Sequence, residues 1–214
     1  MTGHKFEKLE CGFRWVPVEL PDDPEVAARD EEGEELLLKE RMLKLGAPLR
    51  HVSCKPEFFG GWAARLQLID GMMGTGFTIG LVGTRGNGKT QMGVWLMKFC
   101  LRSGKTARYT TAAGFFMEIR ACFKRDTEHT EEEIVKKYRQ PKFLVIDEIG
   151  KRSDSDWENT MLFELLNKRY ADQTDTLLIA NLSPAEFGKT IGASISSRMS
   201  EAGGIIECDW ESFR

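Results

Sequence analysis

Long apolar runs, paired cysteines and histidine clusters are all missing from this sequence of 214 residues. No run approaches the roughly 20 apolar residues of a membrane-spanning helix, and the opening MTGHKFEKLE lacks the apolar centre of a secretory signal. The five cysteines are scattered, odd in number and without a CxxC pair, which disfavours a disulfide framework and a zinc site. These absences predict a cytoplasmic protein with free thiols and no membrane association.

Charge is unevenly distributed, although the net charge is only −3. Residues 19–40 hold ten acidic and two basic residues, so the remainder of the chain is mildly basic. A basic body of this kind is compatible with nucleic-acid contact, and the acidic stretch is equally compatible with a solvated linker.

The N-terminal region is predicted to be a short extension over residues 1–52. Prolines and a glycine interrupt residues 1–33, which therefore look irregular. Residues 34–45 (EELLLKERMLKL) predict a short amphipathic helix, with Leu38, Met42 and Leu45 on one face. This helix either packs on the main domain or binds a partner.

An α/β domain is predicted over residues 53–214, because short apolar strands alternate with helical segments. The predicted strands are 77–82, 107–111, 143–146, 176–180 and, as a fifth, 204–208. The predicted helices are 89–102, 112–125, 130–139 and 155–170, with a short one from Ser183. We expect a mostly parallel five-stranded sheet flanked by helices.

A phosphate-binding loop follows the first of these strands. The sequence GTRGNGKT matches G-x-x-x-x-G-K-[ST], in which glycines let backbone N–H groups surround phosphates and the helix N-terminus faces the anion. Lys89 supplies charge to the β- and γ-phosphates, and Thr90 can bind Mg²⁺. The predicted nucleotide-binding residues are Gly83, Thr84, Gly86, Asn87, Gly88, Lys89, Thr90 and Gln91.

Two acidic residues end the strand FLVI and indicate hydrolysis rather than phosphate transfer. Asp147 is predicted to reach the Mg²⁺ with Thr90, and Glu148 to activate an attacking water as general base. Asn181, after the strand TLLIA, is predicted to lie beside Asp147 and to hold that water. Arg198 and Arg214 are candidates for stabilising charge on the γ-phosphate.

Taken in order, these motifs resemble the DnaC-type helicase loaders of the AAA+ ATPases and the related IstB-type transposition ATPases. The resemblance covers roughly residues 58–214. It depends on the phosphate-binding loop, YTTAAGFFMEIR, FLVIDEIG, LFELLNKRY, LLIANLS and the closing SSRM and DWESFR.

The resemblance implies a P-loop AAA+ core without a large C-terminal lid domain. It implies that Asn181 is sensor 1, that Arg198 is an arginine finger for the ATP of a neighbouring subunit, and that Arg214 replaces sensor 2. It also implies ATP and Mg²⁺ as ligands, self-association through the ATP site, and a DnaB-like replicative helicase and single-stranded DNA as partners. The short N-terminal region departs from the longer domain common in this family.

Basic side chains on the predicted helix 112–125 are the candidates for single-stranded DNA contact, namely Arg120, Lys124 and Arg125. The function predicted from these features is an ATP-dependent helicase loader acting in DNA replication. The alternatives are an IstB-like ATPase that serves a transposase, a small-molecule P-loop kinase, and a nucleotide-dependent binding module with negligible turnover.

Overall fold

A computed structural model describes the backbone of residues 2–9, 12–19, 24–54, 60–123 and 130–213, and side chains from residue 32 onwards within those ranges. Strands β1 (Thr2–Leu9) and β2 (Gly12–Glu19) form an antiparallel hairpin. Helix α1 follows over Pro24–Lys44. No helix in the described parts of the chain is long and apolar enough to cross a membrane.

The N-terminal region is therefore more regular than predicted. Pro17 lies in a two-stranded hairpin, in which both strands are edge strands, and edge strands tolerate proline. Pro24 opens α1 instead of breaking it, since the first helical position has no N–H bond to lose. The predicted helix 34–45 is thus the second half of a helix that begins ten residues earlier.

The second half of α1 packs on the main domain. Met42 is buried, and Leu38 and Leu45 pack against the same core. Glu35 accepts hydrogen bonds from Lys98 (2.5 Å) and Arg102 (2.7 Å) of the following domain. Packing on the domain is thus observed, and a partner-binding role for this helix remains a prediction.

The central sheet has five parallel strands, which confirms the predicted fold class. Their order is β4-β5-β6-β3-β7. The strands are β3 (Thr78–Val82), β4 (Ala107–Thr111), β5 (Phe143–Asp147), β6 (Asp175–Ile179) and β7 (Gly203–Glu207).

Helices cover both faces of this sheet. They are α2 (Leu49–Val52), α3 (Gly60–Gly71), α4 (Lys89–Arg102), α5 (Ala112–Ala121), α6 (Glu131–Arg139), α7 (Asp156–Ala171), α8 (Pro184–Ile191) and α9 (Ala193–Glu201). Successive residues of a strand point to opposite faces. In β5, Phe143 and Val145 join the core under α1–α4, while Leu144 and Ile146 join the core under α5–α9.

Caps fix where several helices begin. Thr130 with Glu133, and Ser183 with Glu186, form complete capping boxes. At Ser155 such a box is only half formed: Ser155 Oγ accepts from the N–H of Glu158 at 3.3 Å, but the Glu158 carboxylate accepts from Ser153 and from the N–H of Asp154. Helix α5 ends at Ala121, earlier than the predicted residue 125, and residues 124 and 125 lie outside the described part.

Candidate nucleotide site

The phosphate-binding loop connects β3 to α4 in the predicted arrangement. Gly86 (φ 95°) and Gly88 (φ 73°) have left-handed backbones that side chains other than glycine rarely adopt. A Cβ at Gly88 would also lie 2.9 Å from Nε1 of Trp62. The loop then enters α4 at Lys89, so that the free N–H groups of the first turn face the loop.

Lys89 is held inside this loop. Its Nζ donates to the carbonyl oxygens of Gly83 (2.9 Å) and Thr84 (2.5 Å). Burial lowers the pKa of Lys89, and the charge of Asp147 opposes that shift. The ammonium is therefore pre-positioned within the loop that the sequence predicts to bind phosphates.

Asp147 lies at the carboxyl end of β5, beside the first turn of α4. Its Oδ2 accepts from Thr90 Oγ1 and from Tyr109 Oη, both at 2.7 Å, and its Oδ1 accepts from the N–H of Glu148 at 2.6 Å. Burial, followed by the nearby Asp147 charge, raises the pKa of Tyr109. The sequence patterns did not predict a role for Tyr109, because it is the parallel pairing of β4 with β5 that brings it to Asp147.

Thr90 and Asp147 fit the predicted Mg²⁺ in the type of donor they offer. A hydroxyl and a carboxylate oxygen lie side by side, and Mg²⁺ takes oxygen ligands. Bound there, the ion would neutralise charge on the β- and γ-phosphate oxygens.

A cleft of about 920 Å³ brings most predicted site residues together. Glu148, Asn181 and the loop residues from Gly86 to Gln91 line it. Glu148 has a left-handed backbone (φ 57°), and its carboxylate accepts from Lys151, which also lines the cleft. Other lining residues, not predicted from the sequence, are Pro48, Arg50, His51, Cys54, Trp62, Arg85, Tyr109, Thr111, Lys151 and Phe213.

Asn87 and Gln91 connect the loop to neighbouring segments. Asn87 Nδ2 donates to the carbonyls of Cys208 (2.9 Å) and Trp210 (2.7 Å). Gln91 Nε2 donates to the carbonyl of His51 at 2.9 Å, and its Oε1 lies 2.8 Å from His51 Nδ1. Both amides thus have protein partners, and their contact with nucleotide remains a prediction.

The segment after β7 folds back onto the phosphate-binding loop. Trp210 Nε1 donates to the carbonyl of Asn87 at 2.9 Å, and the N–H of Phe213 donates to the carbonyl of Gly86 at 3.1 Å. Trp62 Nε1, from α3, donates to the carbonyl of Gly88 at 3.1 Å. Arg214 lies outside the described residues, directly after Phe213, which lines the cleft.

Arg198 and Arg120 are not part of the cleft among the described residues. Arg198 lies in α9. Arg120 donates to the buried carboxylate of Glu158 at 2.5 Å and stacks 5.2 Å from the ring centre of Trp157. This pairing gives Arg120 a structural role, and its DNA contact remains a prediction. Lys124 and Arg125 lie outside the described residues.

Comparisons with known proteins agree with this geometry. The model of the family described as IstB-like ATP binding protein matches residues 71–214. The replicative helicase loader DnaC of Escherichia coli (strain K12) is 25% identical over 133 residues, which are 62% of this chain and 54% of that protein. The chain spans about half the length of the curated relatives it matches.

Solved structures confirm the AAA+ fold. A crystal structure of the DnaC helicase loader matches with a TM-score of 0.60 at 16% identity, over 78% of this chain and 98% of that one. The replication initiator DnaA bound to AMPPCP and single-stranded DNA matches with a TM-score of 0.61 at 17% identity, over 72% of this chain and 49% of that one. The resemblance identified from the motifs is therefore confirmed at the level of family and fold.

Proposed function

This chain belongs to the family of IstB-like ATP binding proteins, and we propose that it binds and hydrolyses ATP to load a replicative DNA helicase onto single-stranded DNA. The observation that carries the proposal is the convergence of Lys89, Thr90, Asp147, Glu148 and Asn181 on one cleft. A nucleotide-holding loop, a base and a polar amide are the parts that hydrolysis of a γ-phosphate needs.

Each group in the cleft has a role in the proposed reaction. The N–H groups of the loop and of the α4 N-terminus bind the phosphates, and Lys89 offsets their charge. Glu148 accepts the proton of the attacking water, and the Asn181 amide orients that water. A small-molecule kinase is disfavoured because a carboxylate base beside the γ-phosphate promotes attack by water.

The ATP site is proposed to be completed by a second copy of this chain. Arg198 does not line the cleft of its own chain in the described region. Supplied by a neighbour, it would stabilise the charge that develops on the γ-phosphate. Arg214, which follows a segment bonded to the phosphate-binding loop, is proposed to act on the phosphates from within the same chain.

Helicase loading is preferred to transposition because curated relatives named as DnaC loaders match over 133 residues, 62% of this chain. The IstB-like description of the family keeps a transposase partner as the second candidate.

Single-stranded DNA is the proposed nucleic acid; a DnaA protein of the same fold was solved with it. Phe123, which is 62% exposed at the end of α5, offers a ring on which a base can stack. A role in loading a helicase onto DNA would locate the protein in the cytoplasm.

A loading assay tests this function. The purified chain is mixed with the replicative helicase of its host, ATP and circular single-stranded DNA covered by single-strand binding protein, and unwinding of an annealed oligonucleotide is measured. We expect unwinding to depend on the chain and to be lost with Lys89→Ala. If the chain does not increase unwinding by the helicase but does stimulate strand transfer by a co-encoded transposase, the transposition function replaces this one.

A further inference from the structure

The guanidinium of Arg198 lies over two aromatic side chains of a neighbouring helix. The guanidinium carbon lies 5.3 Å from the ring centre of Phe163 and 5.6 Å from that of Tyr170. Both rings belong to α7 and are seven residues apart, so they lie two turns apart on one face of that helix. A cation within about 6 Å of an aromatic face is attracted by it.

The helix that carries Arg198 is fixed on two sides. Ile195 and Met199 are buried in the core shared with α7. Tyr170 Oη donates to the carboxylate of Glu201 at 2.7 Å, one turn after Arg198. The aromatic clamp, defined as Phe163 and Tyr170, therefore holds a residue whose backbone is itself well placed.

The guanidinium of Arg198 has a hydrogen-bond donor that no described residue uses. Its Nη1 is buried and has no hydrogen-bond partner in the part of the chain that the structure describes. A buried donor without an acceptor is unfavourable, and ring faces do not satisfy the N–H groups in the guanidinium plane. Arg120 is different, because it stacks on Trp157 and also donates to the Glu158 carboxylate.

We propose that the aromatic clamp positions Arg198 for the ATP of a neighbouring subunit. The proposal rests on the proposed function, in which Arg198 acts on a second copy of the chain. The clamp holds the guanidinium through ring faces, which neither occupy its N–H donors nor cancel its charge, whereas a carboxylate partner would do both. Phe163 and Tyr170 are thus positioning residues that touch no substrate.

A two-subunit mixture isolates this effect. One subunit, the finger donor, carries Lys89→Ala and provides only Arg198. The other, the acceptor, carries Arg198→Ala and provides only an ATP cleft. Phe163→Leu with Tyr170→Leu, which keeps apolar volume and removes the ring faces, is placed either in the donor or in the acceptor.

In the donor, the double leucine substitution is expected to lower kcat about tenfold, the size expected for losing two partly buried cation–aromatic contacts. KM for ATP should stay unchanged, since the acceptor cleft is intact. In the acceptor, the same substitutions have no finger to position, so kcat should not fall. A donor with Tyr170→Phe and an unchanged Phe163 keeps both rings and loses only the bond to Glu201. It should have most of the kcat that the double leucine donor loses.

Equal losses in donor and acceptor would show a purely structural role and would overturn the proposal, as would an unchanged kcat with the substituted donor. If the parent mixture is inactive although both variants fold, Arg198 does not act between subunits, and the proposed shared site fails together with the clamp. If only the donor effect is missing, the shared site stands and the clamp alone is wrong.

Discussion

Asp147 and Glu148 are neighbours in sequence with opposite surroundings. Asp147 is 4% exposed, and Thr90, Tyr109 and the N–H of Glu148 donate to its oxygens. Glu148 has a left-handed backbone and a side chain that is 37% exposed in the cleft. The turn in the backbone thus separates a buried carboxylate with three donors, suited to a metal ion, from a partly exposed one in the cleft, suited to proton transfer.

Glu148→Gln is expected to lower ATP hydrolysis by about 10²–10⁴-fold, because the amide cannot accept the proton of the attacking water. ATP affinity should change little, since the phosphate-binding loop and Thr90 are untouched. Steady-state phosphate release and binding of a fluorescent ATP analogue measure the two effects.

Glu164→Gln is the matched control for that change. Glu164 is an exposed acid on α7, 4.0 Å from Lys168, and its loss should leave hydrolysis unchanged. Hydrolysis by Glu148→Gln at the unmodified rate would remove Glu148 from the reaction and leave the cleft without an assigned base.

At the scale of elements, one buried arginine joins α6, α7 and β6. Arg169 is fully buried and donates through its three nitrogens to the Thr176 hydroxyl and to the carbonyls of Tyr138, Arg139, Pro141 and Asp175. Burial lowers the pKa of Arg169 to about 10. Its planar fork satisfies backbone acceptors at the end of α6 that no helical N–H can reach.

Arg169→Lys is expected to lower the free energy of unfolding by about 3 kcal/mol or more, because one ammonium cannot reach all of these buried acceptors. Arg139→Lys is the control: Arg139 makes two bonds to Asp172 (2.6 and 2.9 Å) on the surface, and its change should leave the free energy of unfolding nearly unchanged. Urea unfolding without nucleotide measures both. Equal losses would mean that the buried network does not join these elements.

Local patterns in the sequence were sufficient for most of the sheet and for the centre of the site. The strands are short apolar runs, and the phosphate-binding loop and Asp147 follow two of them directly. Helices α3 and α9 were missed for different reasons. In α3, Trp62, Leu66 and Ile69 give helical spacing, but two glycines begin the segment. In α9, only Ile195 and Met199 are buried, so the apolar pattern is too short to identify.

Contacts between distant segments were beyond those patterns. Trp62 and Trp210 both donate to carbonyls of the phosphate-binding loop, and Tyr109 donates to Asp147. Each of these bonds joins residues that only the folded sheet and its loops bring together. Sequence spacing within one element contains no information about such pairs, which is why the walls of the cleft were not predicted while its centre was.

At the scale of the whole molecule, the ATP cleft and Arg198 are separate features of one chain. The cleft opens at the carboxyl ends of β3, β5 and β6, where Lys89, Glu148 and Asn181 meet. Arg198 is held against α7 by Phe163 and Tyr170. If Arg198 is the proposed arginine finger, it is expected to reach the cleft of a second chain, so the rate of ATP hydrolysis should depend on assembly of the chains.

Mixing two inactive variants tests this central claim most directly. Lys89→Ala disables the ATP cleft and keeps the proposed finger, and Arg198→Ala removes the proposed finger and keeps the cleft. Each variant alone should hydrolyse ATP at least about 10³-fold more slowly than the unmodified chain. Together they should regain activity, with a maximum near equal proportions. Mixtures that stay inactive at every ratio, although the two variants co-assemble, would contradict a site shared between subunits.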